Sequence, residues 1–350
     1  YMKTALRLAR RGAGRVSPNP LVGAVLVKNN TIVGKGCHEF FGGPHAEINA
    51  LQHAGSRAPG ASLYINLEPC CHYGKTPPCT DALIKSNIKK VYVGMVDPNP
   101  AVSGKGIEKL RKAGIAVETG LLEDECRLLN EAFIKHITKK VPLVTLKAGI
   151  TLDGNIATAR GDSKWITCDE SRRLVHKVRS EVDAIMVGSG TLIADDPQLT
   201  VRLGGKTLKN PLRVIVDEKL RIPLESKVLK PQLAAGTLIV TSPSLASSHK
   251  AQKILQTGAR IISVPLKKGL VDLKALMKKL GLMGIASLLI EGGSEINASA
   301  LVADIVDKIL FFYAPKIRRQ KFNPCCGRQR GTKNRRRHRN QQHGGKAYRL

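Results

Sequence analysis

Pro44-His45-Ala46-Glu47 and Pro69-Cys70-Cys71-His72-Tyr73-Gly74-Lys75-Thr76-Pro77-Pro78-Cys79 are the two stretches from which the rest of the chain is read. Together they offer an imidazole, thiolates and a carboxylate, the donor set of a three-ligand zinc site with an acid/base group beside it. Zinc held by three protein ligands keeps a fourth position for water, which marks a catalytic rather than a structural site. Glu47, two residues after His45 on one helix, approaches that water without ligating the metal. Cys70 and Cys71 are neighbours whose side chains diverge, so Cys70 and Cys79 are expected as ligands and Cys71 as a bystander. A loop running into a helix start also supplies backbone amides that favour a thiolate. His45 alone would read as an ordinary hydrogen-bonded histidine; with Glu47, Cys70 and Cys79 the metal reading is much the stronger. His72 reads as a substrate contact or a surface histidine.

Outward from these stretches, strands and helices alternate, which predicts an α/β layered fold. Residues 21–36 form a hairpin, two β-branched runs joined by Asn29-Asn30. A helix is expected over 45–54, a strand over 61–67, a helix over 80–86 and a strand over 90–96. A helix over 106–113, a short strand over 116–118 and one helix over 123–136 complete the first unit. Thr138-Lys139-Lys140-Val141-Pro142 reads as a short linker. Beyond it, strands are expected at 143–149, 184–187, 212–216, 237–241, 260–264, 287–291 and 308–313. Helices fit 169–180, 247–257, 272–280 and 296–302. The expected domains are therefore 1–140 and 141–317, with 318–350 a separate tail.

Composition narrows the function classes. The 350 residues contain no apolar run long enough to span a membrane. Eight cysteines, at 37, 70, 71, 79, 126, 168, 325 and 326, make no small-domain disulfide framework and fit a reducing cytoplasm. The basic opening segment has a transit-peptide composition, but Ala5, Leu6, Ala9 and Ala13 recur at helical spacing and favour a first domain helix. Because the chain opens on Tyr1, a few further residues are expected before it. The net charge of +30 invites a nucleic-acid reading. Yet 12 Lys and Arg, with no acid, fall between Arg318 and Leu350, and much of the remainder lies in dispersed pairs such as Lys278-Lys279. That tail lacks apolar periodicity. It reads as a polyanion-binding tail, as disordered solvated chain, or, preferred here, as the product of a translated frameshift near codon 317.

His-x-Glu followed by Pro-Cys and a further Cys is the signature of zinc-dependent deaminases of bases and nucleosides. The nine-residue step from Cys70 to Cys79 departs from the Cys-x-x-Cys of nucleoside and nucleic-acid deaminases. Its inserted loop carries His72 and Lys75, suited to an anionic group on the substrate. Here the chain resembles the bifunctional riboflavin biosynthesis proteins, a pyrimidine deaminase fused to a pyrimidine reductase. The match is carried by Ser17–Gly23, Pro44–Glu47, Leu67–Cys79, Asp97–Pro100, Lys147–Gly154, Gly161–Thr167, Ala194–Pro197 and Glu291–Ser294. It runs to Ile317 and is lost in the tail; Cys71 stands where the family usually has serine.

The resemblance implies a cytidine-deaminase-like three-layer domain followed by a dihydrofolate-reductase-like α/β domain. The implied substrate is a diaminopyrimidinone carrying a phosphoribosylamino group, deaminated with Zn2+ and then reduced by NADPH to a ribityl chain. Asn19 and His38, otherwise a turn residue and a strand-end histidine, would line the pyrimidine pocket. Gly149, Trp165, Thr191, Asp195 and the loop Gly293, Ser294, Glu295, Ile296, Asn297, Ala298 and Ser299 would contact the dinucleotide. Ser163, Arg179, Leu199, Arg202 and Glu291 would contact substrate, with Lys147 assisting proton transfer. Guanidinium forks at 179 and 202 suit a phosphate. Read without the resemblance, Glu291-Gly292-Gly293-Ser294 and Gly188-Ser189-Gly190-Thr191 say only that amides at a helix start suit a phosphate, with turn glycines as the plain alternative.

A cytoplasmic homo-oligomer acting on a small molecule, with no nucleic-acid or membrane partner, is expected. The rivals are a deaminase with an inactive reductase half, a nucleic-acid base deaminase and a zinc-stabilised binding module. Only 4% aromatic residues and the long cysteine spacing weigh against the second, and the want of a fourth ligand against the third. Family members continue after Ile317 with further sheet-forming residues. A reductase sheet with an unprotected edge is therefore expected.

Overall fold

The computed structural model describes residues 1–73, 77–158, 168–204, 209–315 and 322–324. The first unit is a five-stranded sheet between two layers of helices. Its elements are α1 (Met2–Ala9), β1 (Gly23–Lys28), β2 (Thr31–Cys37), α2 (Ala46–Ala54), β3 (Ser62–Leu67), α3 (Cys79–Lys85), β4 (Lys90–Met95), α4 (Lys105–Lys112), β5 (Ala116–Thr119), α5 (Glu123–Leu129) and α6 (Glu131–Lys139). The strand order is β2-β1-β3-β4-β5. β1 runs antiparallel to both neighbours, whereas β3, β4 and β5 are mutually parallel. Asn29 and Asn30 both take positive φ, 49° and 57°, the backbone that joins two strands through a two-residue turn.

Alternation along the strands divides the core. Ala24, Leu26, Leu63, Ile65, Val91 and Val93 face α2, α3 and α4. Val25 and Val27 face α1, with Cys126 of α5 and Phe133 of α6 on the same side. Gly36 on β2 permits a close backbone approach: a Cβ there would lie 2.3 Å from the Ala46 carbonyl oxygen. That approach fixes the start of α2, and with it His45.

The single helix expected over 123–136 is two helices. The break falls at Asn130, which is buried. Its side chain accepts from the Leu21 N–H (2.8 Å) and donates to the Leu21 carbonyl (3.0 Å). Asn130 takes φ −108° and ψ 17°, outside the α-helical range, between the two helices.

The second unit contains β6 (Leu143–Thr151), β7 (Asn155–Thr158), α7 (Asp169–Glu181), β8 (Ala184–Gly188), α8 (Ser189–Asp195), β9 (Leu212–Val216), α9 (Pro231–Ala234) and β10 (Thr237–Thr241). It continues through α10 (His249–Gln256), β11 (Arg260–Ser263), β12 (Leu266–Lys267), β13 (Leu270–Val271), α11 (Leu273–Leu282), β14 (Ser287–Ile290), α12 (Ser294–Val302), β15 (Lys308–Ala314) and β16 (Phe322–Pro324). Seven strands form one parallel sheet in the order β11-β10-β9-β8-β14-β6-β15. Such a sheet is buried on both faces, and its strands are near-continuous Val, Ile and Leu. The seven strands expected from sequence are these seven; β7, α8, α9, the β12–β13 hairpin and β16 were not anticipated. Three residues of the tail depart from the patternless expectation, since β16 pairs antiparallel with β7. The rest of 318–350 lies outside the described residues.

The units meet along α6. Lys135 pairs with Asp307 (2.5 Å) and Glu131 with Lys308 at the start of β15. No helix among the described residues is long and apolar enough to cross a membrane.

Candidate active site

His45 is the N-cap residue of α2, in extended backbone (φ −72°, ψ 162°). Cys79 opens α3, and Cys70 lies on the loop between β3 and α3. Their ligand atoms converge: His45 Nδ1 is 3.5 Å from Cys70 Sγ and 3.3 Å from Cys79 Sγ. Zn–N and Zn–S bonds in a tetrahedral site imply ligand separations of about 3.5 Å, so the triad fits zinc. Among the described residues it is the one such cluster of three His, Cys, Asp or Glu, and Cys71 stands outside it.

The metal-free electrostatics suit the task. The Cys79 thiol and backbone N–H both donate to Cys70, and with His45 they pull the Cys70 thiol down to about 4. The same sharing raises Cys79, and the bond to Cys70 raises the His45 imidazole. Glu47 is 3% exposed. Burial first, and the neighbouring Cys70 second, push its carboxyl up to about 7. A carboxyl so placed both takes and returns a proton near neutrality.

His45, Glu47 and Cys70 line a cavity of about 390 Å³. Asn19 and His38 stand in its wall. His38 Nδ1 donates to the Pro44 carbonyl (3.0 Å), which leaves Nε2 to accept from the Asn19 amide (3.1 Å). Burial keeps His38 below its ordinary 6.5. The segment bearing Asn19 is clamped by two buried amides, Asn66 and Asn130, both of which bond Leu21. His72 is exposed at the cavity's edge; Lys75 lies outside the described residues.

Sequence reasoning missed part of the wall. Glu68, Asp97 and Asn99 line the cavity on one side, and Phe133 and His136 of α6 do so elsewhere. Burial raises the Asp97 carboxyl to about 6. The Asp97–Pro100 motif was visible but carried no assigned role. Nothing in the sequence marks His136, because its placement depends on the break at Asn130.

In the second unit Arg179 forks onto Glu291 (Nε–Oε1 2.6 Å, Nη2–Oε2 3.0 Å), and its third nitrogen bonds the Thr200 carbonyl. Lys147 approaches the same carboxylate at 3.6 Å. Burial works against the Glu291 charge, but Arg179 and Lys147 hold its carboxyl below the usual range. Three expected substrate contacts therefore satisfy one another. Arg202 is exposed, with its N–H bonded to His176 Nδ1. Leu199 is packed in the core, 4% exposed.

Gly293 caps α12 without a side-chain bond, and its N–H donates to Thr191 Oγ1. A helix start ringed by amides and a hydroxyl fits the pyrophosphate of a dinucleotide. Ser294, Glu295, Ala298 and Ser299 keep exposed surface on α12. Ile296 and Asn297 are buried on the same helix. Gly149 on β6 faces Phe312 across the ladder, and Asp195 ends α8 at the surface. Ser163 and Trp165 lie outside the described residues.

The family description "Cytidine and deoxycytidylate deaminase zinc-binding region" matches residues 1–95, and "RibD C-terminal domain" matches residues 142–320. The riboflavin biosynthesis protein RibD of Aquifex aeolicus is 49% identical over 317 residues, 91% of this chain and 86% of that one. The chain belongs to the RibD family. The RibD structure from Acinetobacter baumannii matches with a TM-score of 0.85 and 37% identity, over 95% of this chain and 91% of that one. A Thermotoga maritima structure matches at 0.82 and 42%, over 93% and 88%. It is described as a diaminohydroxyphosphoribosylaminopyrimidine deaminase and 5-amino-6-(5-phosphoribosylamino)uracil reductase. As in other RibD proteins, the first unit is a cytidine-deaminase-like zinc domain and the second a NADPH-dependent reductase domain. The chain is a bifunctional enzyme of riboflavin biosynthesis.

Proposed function

We propose that His45, Cys70 and Cys79 hold the zinc and that Glu47 is the acid/base group in deamination of 2,5-diamino-6-(5-phosphoribosylamino)pyrimidin-4-one. The carrying observation is a three-donor cluster beside a buried carboxyl that lines the cavity. Zinc bound there supplies Lewis acidity that brings water's pKa to about 7. Glu47 would take one proton from the water to the ring nitrogen and then carry the second, from the newly added hydroxyl, to the amine, which leaves as ammonia. Neutral His38 fixes the Asn19 amide by its nitrogen, and this orients the Asn19 carbonyl towards the pyrimidine's amino group. His72 and Lys75 serve the phosphate end.

The reductase half then converts the ribosyl group to ribityl. Gly149, Trp165, Thr191, Asp195 and the start of α12 would hold NADPH, which supplies the hydride when bound, and Ser163 would contact the substrate. Arg202 serves the substrate phosphate, while Arg179 orients Glu291 and Lys147 supplies the proton that accompanies hydride transfer. The domains divide at residues 1–140 and 141–317. The protein works as a homo-oligomer in the cytoplasm, and light scattering of the purified chain checks the oligomer. Incubation with the diaminopyrimidinone ribosyl phosphate, with and without NADPH, tests the pair of reactions. Replacement of an amine by oxygen should precede the addition of two hydrogens.

A further inference from the structure

We propose that Glu68 is a positioning residue for deamination, because its carboxylate ties the cavity wall carrying Asp97 and Asn99 to the loop carrying Cys70. The inference rests on the deaminase reading and adds a residue to it. Glu68 follows β3 and precedes Cys70 by two residues, and it is 3% exposed. Its Oε1 accepts from the N–H groups of Gly106 (2.9 Å) and Ile107 (3.1 Å). Its Oε2 accepts from Asp97 (3.1 Å) and Gly104 (2.9 Å). It is in no ion pair among the described residues; four backbone donors satisfy the buried charge instead.

Those bonds connect two halves of the cavity that are far apart in sequence. The Asp97 N–H is held by Glu68, and Asp97 Oδ1 in turn holds the Asn99 N–H at 2.8 Å. Both side chains line the same cavity as His45 and Glu47. On the other side, the Cys70 carbonyl accepts from the Thr80 N–H at the start of α3. The junction has no slack. A Cβ on Gly106 would lie 2.2 Å from the Pro69 carbonyl oxygen, so the first turn of α4 rests directly on the Pro69–Cys70 peptide.

All four partners are donors, so only a carboxylate accepts at both ends. Glutamine has the same shape but turns an NH₂ towards two N–H groups. One pair must then separate, and either choice moves the segment between Asp97 and Ile107 relative to Cys70. The wall shifts while the zinc ligands and Glu47 stay on their own elements.

The test compares wild type, Glu68→Gln, Asn99→Ala and the double variant for zinc content and deamination kinetics on the diaminopyrimidinone ribosyl phosphate. Glu68→Gln should keep one zinc per chain and raise KM by about 10- to 100-fold, with a much smaller change in kcat. The double variant should be little worse than Asn99→Ala alone, because both act through one wall. A KM within twofold of wild type, additive losses, or loss of zinc alongside thermal stability with KM unchanged would each overturn the proposal. If Glu68→Gln is insoluble, Gly106→Ala displaces the same junction with the carboxylate intact. It must show the same rise in KM, and an unchanged KM there overturns the proposal. Wild type that binds zinc but does not deaminate would instead sink the deaminase reading itself.

Discussion

Glu47 carries the chemistry at the scale of single residues. Glu47→Gln keeps the size of the side chain and should retain zinc on His45, Cys70 and Cys79 while deamination falls by about 10²- to 10⁴-fold. Metal analysis beside an ammonia assay checks this, and turnover near wild type would remove Glu47 from its role. His38 sets a pH dependence of known sign. Its folded pKa lies below 6.5 because it is buried, so the unfolded chain binds this proton first as pH falls. Its contribution is fully present above about pH 6.5 and is lost progressively below it. His38→Gln should flatten the acid side of the stability profile, as followed by thermal unfolding between roughly pH 7 and pH 5. The ligands and Glu47 were legible in the sequence because their residue types and spacing are themselves the chemistry. Glu68, Asp97 and His136 were not, because their roles come from backbone groups and helix breaks that residue types do not announce.

Asn130 decides the geometry between elements. It lies between α5 and α6, and its amide clamps the segment bearing Asn19. Asn130→Ala leaves the half-buried Leu21 N–H without this partner, which costs about 1 kcal/mol, readable as a lower denaturant midpoint. Deamination should weaken as well, since Asn19 loses one of its clamps. In the reductase half, Arg179→Lys loses the two-pronged grip on Glu291 and should impair reduction while leaving deamination intact. Product analysis of both steps distinguishes that outcome from general unfolding. Strand and helix existence followed from periodicity almost everywhere, since parallel strands read as apolar runs and α1 as a helical stripe. The fused helix at 123–136 went unresolved because a helix-compatible pattern continues across Asn130, where only the backbone departs from the helix.

Across the whole molecule the two halves differ in how they finish. The five-stranded sheet is covered on both faces, whereas β15 stands at the edge of the seven-stranded sheet with Ile309 49% and Tyr313 62% exposed. An edge strand with apolar side chains invites pairing with other chains. The reductase half should therefore unfold or associate at a lower temperature than the deaminase half, giving two transitions in calorimetry. A single transition, with full and stable reductase turnover, would contradict this. The central claim is that the zinc triad and Glu47 act on a small phosphorylated diaminopyrimidine. It is tested most directly by the mass of the product formed by zinc-loaded protein from the diaminopyrimidinone ribosyl phosphate without NADPH. One amine should be replaced by oxygen, with release of ammonia. An unchanged substrate mass with zinc demonstrably bound would contradict it.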